Sequence, residues 1–332
     1  MIRPLVALAA LVAVILLSAS VEGQVKPTSW TPARTPDGQP DLEGYWTNAT
    51  FTPLERPAEL AGKEYLTASE AAAYERQQQL RENSQAKDDI HYDNVIWQTE
   101  SYDKGVSQRR TSLIVDPPDG RLPPLTAQAQ QAALTRAAEA RRRGLAEAAE
   151  YRSLGERCIS WGNEGPPMLG STYYNNLQVL QSPSMVVIRH ELMHGIRVIP
   201  LDGGPHLAAG IRQLGGDARG HWAGKTLIVE TTNFSDRTNF RGPPATARQD
   251  LFASRDLKVV ERFTRVAQDS ILYQFTVEDP ATWTRPWSGE ILMRKWEGPI
   301  YEYACHEGNY GLAFILSAAR AQEQAARPVV PE

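Results

Sequence analysis

The sequence predicts an α+β protein, mainly β: an antiparallel up-and-down, lipocalin-like β-barrel or curled sheet with two or three covering helices and an extended N-terminal arm. Three observations predict it. From Leu177 on, short strand-like runs follow one another: "LQVLQ", "MVVIRHELMHGIRVIPL", "KTLIVETTNF", "LKVVERFTRV", "SILYQFTVED", "GEILMRKW" and "PIYEYACHE". The separators are Asp-Gly, Gly-Gly, Ala-Gly and Glu-Gly, dipeptides that turn hairpins. Within the runs, side chains alternate. In "SILYQFTV", Ile271, Tyr273, Phe275 and Val277 share one face, and Leu272, Gln274 and Thr276 the other. Period two with one aromatic face marks a half-buried strand. A meander of seven or eight such strands removes its edges by closing on itself.

The elements then follow in order. Residues 1–23 read as a signal peptide. Arg3 is the charged start, Leu5–Leu17 an unbroken apolar run, and "SASVEGQ" the small-residue cleavage region. Thirteen helical residues span about 20 Å, too short for a bilayer core of about 30 Å. The expected location is therefore secreted or periplasmic, with no membrane span after signal removal. Residues 24–60 form a Pro-rich arm whose Trp30, Tyr45, Trp46 and Phe51 offer aromatic anchors. Residues 61–176 form a helical and strand-turn cover. In "TASEAAAYERQQQLREN", Thr67 with Glu70 makes a capping box. "TSLIVDPPDG" is a short strand and turn. "TAQAQQAALTRAAEARRRGLAEAAEYRSL" is a second helix, interrupted at Gly144. The barrel occupies 177–309, and 310–332 is a C-terminal helix and tail.

Charge excludes one class of partner. The net charge is −4, and the basic run Arg141–Arg143 lies beside Glu139 and Glu147 in a helical stretch. A nucleic-acid partner would need an excess of Lys and Arg. No phosphate-binding loop, dinucleotide fingerprint or G-x-S-x-G elbow occurs, so no cofactor is expected. Cys158 and Cys305, an even count in an exported chain, suggest one structural disulfide. The alternative is a thiol nucleophile served by the adjoining His306.

The residues His190 to His194, HELMH, match the zinc-peptidase pattern H-E-x-x-H. That chemistry needs a helix, because only there do histidines four apart reach one ion. In a strand they lie about 13 Å apart. Val186, Val187, Ile188, Ile196, Val198 and Ile199 surround the motif and favour a strand, and Gly195 would stop a helix. As one strand, Val186, Ile188, His190, Leu192, His194, Ile196 and Val198 share a face. Arg189, Glu191, Met193 and Arg197 share the other, with Glu191 and Arg197 a possible ion pair. Strand geometry gives no metal site.

The first-choice catalytic constellation is His190, Glu191, His194, Arg197, Asp202 and His206, a set of imidazoles and carboxylates suited to general acid–base work. Candidate ligand-binding residues are Glu261 and Arg262 in "ERFTR", Arg285 and Trp287 in "WTRPW", and His306, Glu307 and Asn309 beside the expected disulfide. Glu261 shares a face with Val259 and Phe263, so an Arg partner is its ordinary fate. Three readings stay open: a small, partly apolar molecule held in the barrel with cofactor-independent lyase, isomerase or hydrolase chemistry; a zinc peptidase; and a non-catalytic structural or interaction module. Oligomeric state is not predicted.

The stretches "TPDGQPDLEGYW", "IPLDGGPHL", "GHWAGKTLIVETTNF", "ERFTRV", "VEDPATWTRPW" and "YEYACHEGNYG" together resemble a large group of uncharacterised secreted proteins of soil and environmental bacteria. The resemblance runs over most of the mature chain. It implies export and a shared fold, and no particular reaction. "HELMHGIR" stands where that group carries a Glu, a His or Asn, and an Arg in a strand-like setting.

Overall fold

The structure, a computed structural model, describes residues 30–83, 105, 107–144, 146–161, 164–170, 175–237 and 253–326. The stretch read as a signal peptide, the first residues of the arm and the C-terminal tail lie outside them, as does the side chain of His194.

Ten strands form one antiparallel sheet that curls into a nearly closed barrel. They are β1 (Gly44–Thr47), β2 (Ile114–Asp116), β3 (Asn176–Ser182), β4 (Met185–His190), β5 (Ile196–Pro200), β6 (Asp217–Ala223), β7 (Thr226–Thr232), β8 (Lys258–Ala267), β9 (Ser270–Glu278) and β10 (Trp287–Lys295). The order is β5-β4-β3-β1-β10-β9-β8-β7-β6, with β2 beside β10. The C-terminal meander forms as the alternation predicts. Tyr273 pairs with Phe263 and Ile291, and Phe275 with Glu261 and Gly289, all inward-facing. β5 and β6 do not hydrogen-bond. Gly220 lets Ile199 and Leu201 close that gap, since a Cβ there would sit 2.7 and 2.9 Å from their methyl carbons.

The arm does more than lie on the surface. β1 inserts between β3 and β10 and joins the two meanders. Trp46 is buried and its indole N–H donates to Leu42 O at 2.9 Å. Arg265 lies 5.3 Å from the Trp46 ring centroid and pairs with Asp41, which pins the arm across one end of the barrel.

The stretch from Met185 to Pro200 is not one strand. β4 ends at His190, a short 3-10 turn spans Leu192–His194, and β5 returns as a hairpin. Met193 takes a left-handed backbone (φ 56°) to make the turn. The register Ile188↔Arg197 turns Arg197 and Ile199 inward and leaves Ile196 and Val198 exposed, the reverse of the single-strand pattern. HELMH thus offers no helical face for two histidines.

"PIYEYACHE", expected as a strand, is irregular, because residues 296–309 form a loop after β10. Among the helices, α1 (Ala68–Asn83) starts at the Thr67–Glu70 box, with Thr67 N donating to Glu70 Oε2 at 2.9 Å. α2 (Ala127–Arg143) stops at Gly144, which has φ 78°. α3 (Tyr310–Ala325) is capped by Asn309. α2 and α3 bury no residue, so they flank the barrel more than they cover it. Among the described residues no helix is long and apolar enough to cross a membrane.

The barrel interior is filled. Phe263, Tyr273, Phe275, Trp283 and Trp287 form a chain of ring contacts with centroids 5.0–5.7 Å apart. Trp46, Leu177, Ile188, Val229, Ile291 and Met293 pack with them.

Candidate functional site

The six first-choice residues separate into different places. His190 and Arg197 point into the barrel. Arg197 makes a two-pronged ion pair with the fully buried Glu261, Nη1 to Oε1 at 3.0 Å, rather than with Glu191. The Tyr273 hydroxyl donates to the same carboxylate at 2.8 Å and accepts the Met168 N–H at 2.8 Å. Burial holds the Tyr273 phenol well above its usual range, so it acts as a donor here. Glu261 is therefore a structural ion-pair member, as an inward carboxylate requires. Burial, with the nearby Arg197 charge second, pushes His190 down to about 3, so the ring is neutral. Its Nε2 has no partner among the described residues.

His206 lies on the outer face of β6 and β7. Its Nδ1 is 2.9 Å from Asp217 Oδ2, and its Nε2 is 3.6 Å from Glu230, which Lys258 also holds. Both ring nitrogens are engaged, which suits a surface staple. Asp202 caps its own turn, accepting the Gly204 N–H at 2.9 Å.

Of the second-rank residues, Trp287 is core rather than mouth (1 % exposed). Arg285 is half-exposed and bound to both oxygens of Asp116 at 2.8 Å. Arg262 sits on the outer face opposite Ile228 and Gln274. Asn309 spends its side chain on capping α3 and on Glu156 O. His306 and Glu307 are exposed. Cys158 and Cys305 form the disulfide, with Cα atoms 5.7 Å apart, so neither is a thiol nucleophile.

Glu191 occupies a different environment. The parity of β3 and β4 places it with Asn176 on the outer face, yet both are 1 % exposed. Glu164, which follows Cys158, and the Tyr301 backbone, which precedes Cys305, both reach this end of the sheet. Asn176 Nδ2 donates to Glu191 Oε2 at 2.9 Å, and the Tyr301 backbone N–H donates to the same carboxyl. Asn176 Oδ1 and Glu191 Oε1 have no partner among the described residues. Burial raises the Glu191 pKa against those hydrogen bonds. A second carboxyl meets the same turn. Glu164 packs on Gly195, whose Cβ would lie 3.0 Å from its carboxyl carbon. The Trp161 N–H and the Ser160 hydroxyl donate to Glu164, each at 3.3 Å. Burial nevertheless pushes it up to about 7.

Asn176, Glu164 and the Tyr301 backbone escape sequence reasoning. Asn176 merely opens a strand, and Glu164 lies 27 residues before Glu191. The sole signal was the disulfide, which places "SWGNEGPP" beside the C-terminal loop. A shallow concavity of about 480 Å³ runs along α2 past Gln131, Leu134 and Arg142 and holds none of the predicted residues.

No protein-family model matches the chain, and neither curated proteins nor solved structures provide a match.

Proposed function

We propose that this is an exported protein that holds a small, partly apolar molecule at the covered end of β3 and β4, where Glu191 and Glu164 exchange protons with it. One observation carries the reading. Two adjoining buried side chains, Asn176 and Glu191, make one hydrogen bond to each other, and each leaves an oxygen unmet. Such orphans cost about 1–3 kcal/mol apiece unless something satisfies them. The filled barrel favours this end over the barrel centre as the place for a ligand. A carboxyl near pH 7 can give or take a proton at neutral pH, which suits general acid–base chemistry without a nucleotide cofactor. The left-handed Met193, in the turn from Glu191 to Gly195, fits the tendency of strained backbone to gather at such sites. Export is supported by the apolar leader and the disulfide. The likeness to secreted bacterial proteins belongs to the same proposal.

Ligand-observed NMR of the mature protein against a set of small polar and half-apolar fragments tests it. Fragments bound by the wild type and lost in a folded Asn176→Ala variant are expected. Identical binding to both proteins, or no binding at all, refutes the site.

A further inference from the structure

We infer that the ligand of this site is an organic cation, an ammonium or amidinium head on an apolar body, seated against Glu191, Glu164 and the free oxygen of Asn176. The inference rests on the proposed small-molecule site and names its ligand class.

What is left unmet decides the chemistry. Asn176 Oδ1 is an acceptor, and so is the free Glu191 oxygen once that carboxyl ionises, so a group that donates to both satisfies the pair. Glu191 and Glu164 each lack a salt-bridge partner among the described residues, whereas buried Glu261 is matched by Arg197 and Asp217 by Arg219 and His206, and buried Asp279, also without a cation, is met by hydrogen bonds from Ser254 and Thr282. A buried carboxyl without a counter-charge keeps its proton, and both groups sit above their ordinary range for that reason. A cation that brings its own hydrogen bonds lets them ionise and meets every unmet atom. An anionic ligand would face two carboxyls. A bare metal ion lacks donors, because no cluster of three His, Cys, Asp or Glu side chains gathers among the described residues.

Among the described residues the charged groups around the site are few. Arg189, on the same strand and facing outward like Glu191, is the one cation whose field reaches it, and its effect is the smallest of those acting on that carboxyl. It forms no ion pair with Glu191. Tyr301 contributes a backbone N–H from the loop above. The groups facing Glu164 are Ser160, Trp161 and Gly195. His190 points to the opposite, inner face. Tyr301, whose backbone reaches Glu191 and whose side chain is exposed, offers apolar surface for the body of the ligand.

Binding should strengthen as pH rises, because the cation displaces protons. With one carboxyl titrating near 7, affinity falls about tenfold per pH unit below it, so that pH 5 is about 100-fold weaker than pH 8. An alkylammonium, like that of Lys at ~10.4, stays charged throughout.

The test uses three probes of one shape, n-hexylammonium, 1-hexanol and hexanoate, titrated into the mature protein at pH 5 and pH 8 by calorimetry or ligand-observed NMR. Expected is binding of hexylammonium at pH 8, at least tenfold tighter than hexanol, weakened towards pH 5 and lost in Glu191→Gln. Glu164→Gln, on the covering segment, serves if Glu191→Gln fails to fold by circular dichroism. If hexanol binds as tightly as hexylammonium and Asn176→Ala abolishes both, the site stands and the cation is wrong. If affinity for hexylammonium ignores pH and both Gln variants, the cation is likewise wrong. If no probe binds, the site itself is overturned.

Discussion

Replacing Glu164 by glutamine removes one proton-binding group and nothing else of comparable size. In the folded protein its carboxyl titrates at about 7, against an ordinary 4.5. The folded state thus binds a proton that the unfolded chain has released, and stability falls as pH rises from 4.5 through 7. At 1.36 kcal/mol per pH unit, the gap amounts to about 3 kcal/mol. Glutamine keeps the shape and an acceptor for the Trp161 N–H and Ser160 hydroxyl, but it cannot ionise. Urea unfolding of both proteins from pH 4 to 9, with the disulfide intact, reads the difference. The variant should gain about 3 kcal/mol on the wild type between pH 4 and pH 9, most of it between 5 and 8. Parallel curves across the range would refute the claim that Glu164 is buried without a counter-charge, and the ligand argument would lose one of its two carboxyls. The comparison is also free of other titrations, since groups common to both proteins cancel.

His190 should produce the opposite slope. Its ring is neutral down to about pH 3 when folded and protonates near 6.5 when unfolded, so about 5 kcal/mol is lost as pH falls through that window. His190→Leu should flatten the acid limb of the unfolding curve, and an unchanged limb would place the ring in contact with water. Glu261→Gln breaks the buried pair with Arg197 and should cost about 3–5 kcal/mol in chemical denaturation. Tyr273→Phe removes the hydroxyl that joins Glu261 to Met168 N and should cost about 1–3 kcal/mol; a cost below 0.5 kcal/mol for either, on the order of a surface change, would refute the network. The disulfide closes a separation of 147 residues, worth about 5 kcal/mol in the chain-entropy account. The double Cys→Ser variant should lose stability of that order, and limited proteolysis should open 153–161 and 296–305 first. Equal protection of these segments in variant and wild type would count against their role as a tied cover.

Much of the barrel was legible because its strands carry their own evidence. Period-two alternation in β8 and β9 is a local property, and those strands form with the predicted faces. The Thr67–Glu70 box is equally local. Two cysteines allow one pairing, and it is made. The expectation of export rests on the N-terminal run, which is likewise read locally and lies outside the described residues.

Contacts between distant residues were not legible. Met185 to Pro200 reads as one strand because β-branched residues crowd both sides, while the turn depends on Met193 adopting a left-handed backbone that no glycine announces. That single turn reverses which residues face inward, and it sends Arg197 to Glu261, 64 positions away, instead of to Glu191. β1 lies between β3 and β10 only because the arm returns across the sheet. The candidate site exists only after the disulfide brings two loops over Asn176 and Glu191. Residue type and spacing determined that these side chains can carry protons and hydrogen bonds. Burial determined which of them lack a partner, and burial is a property of the whole chain packed on itself.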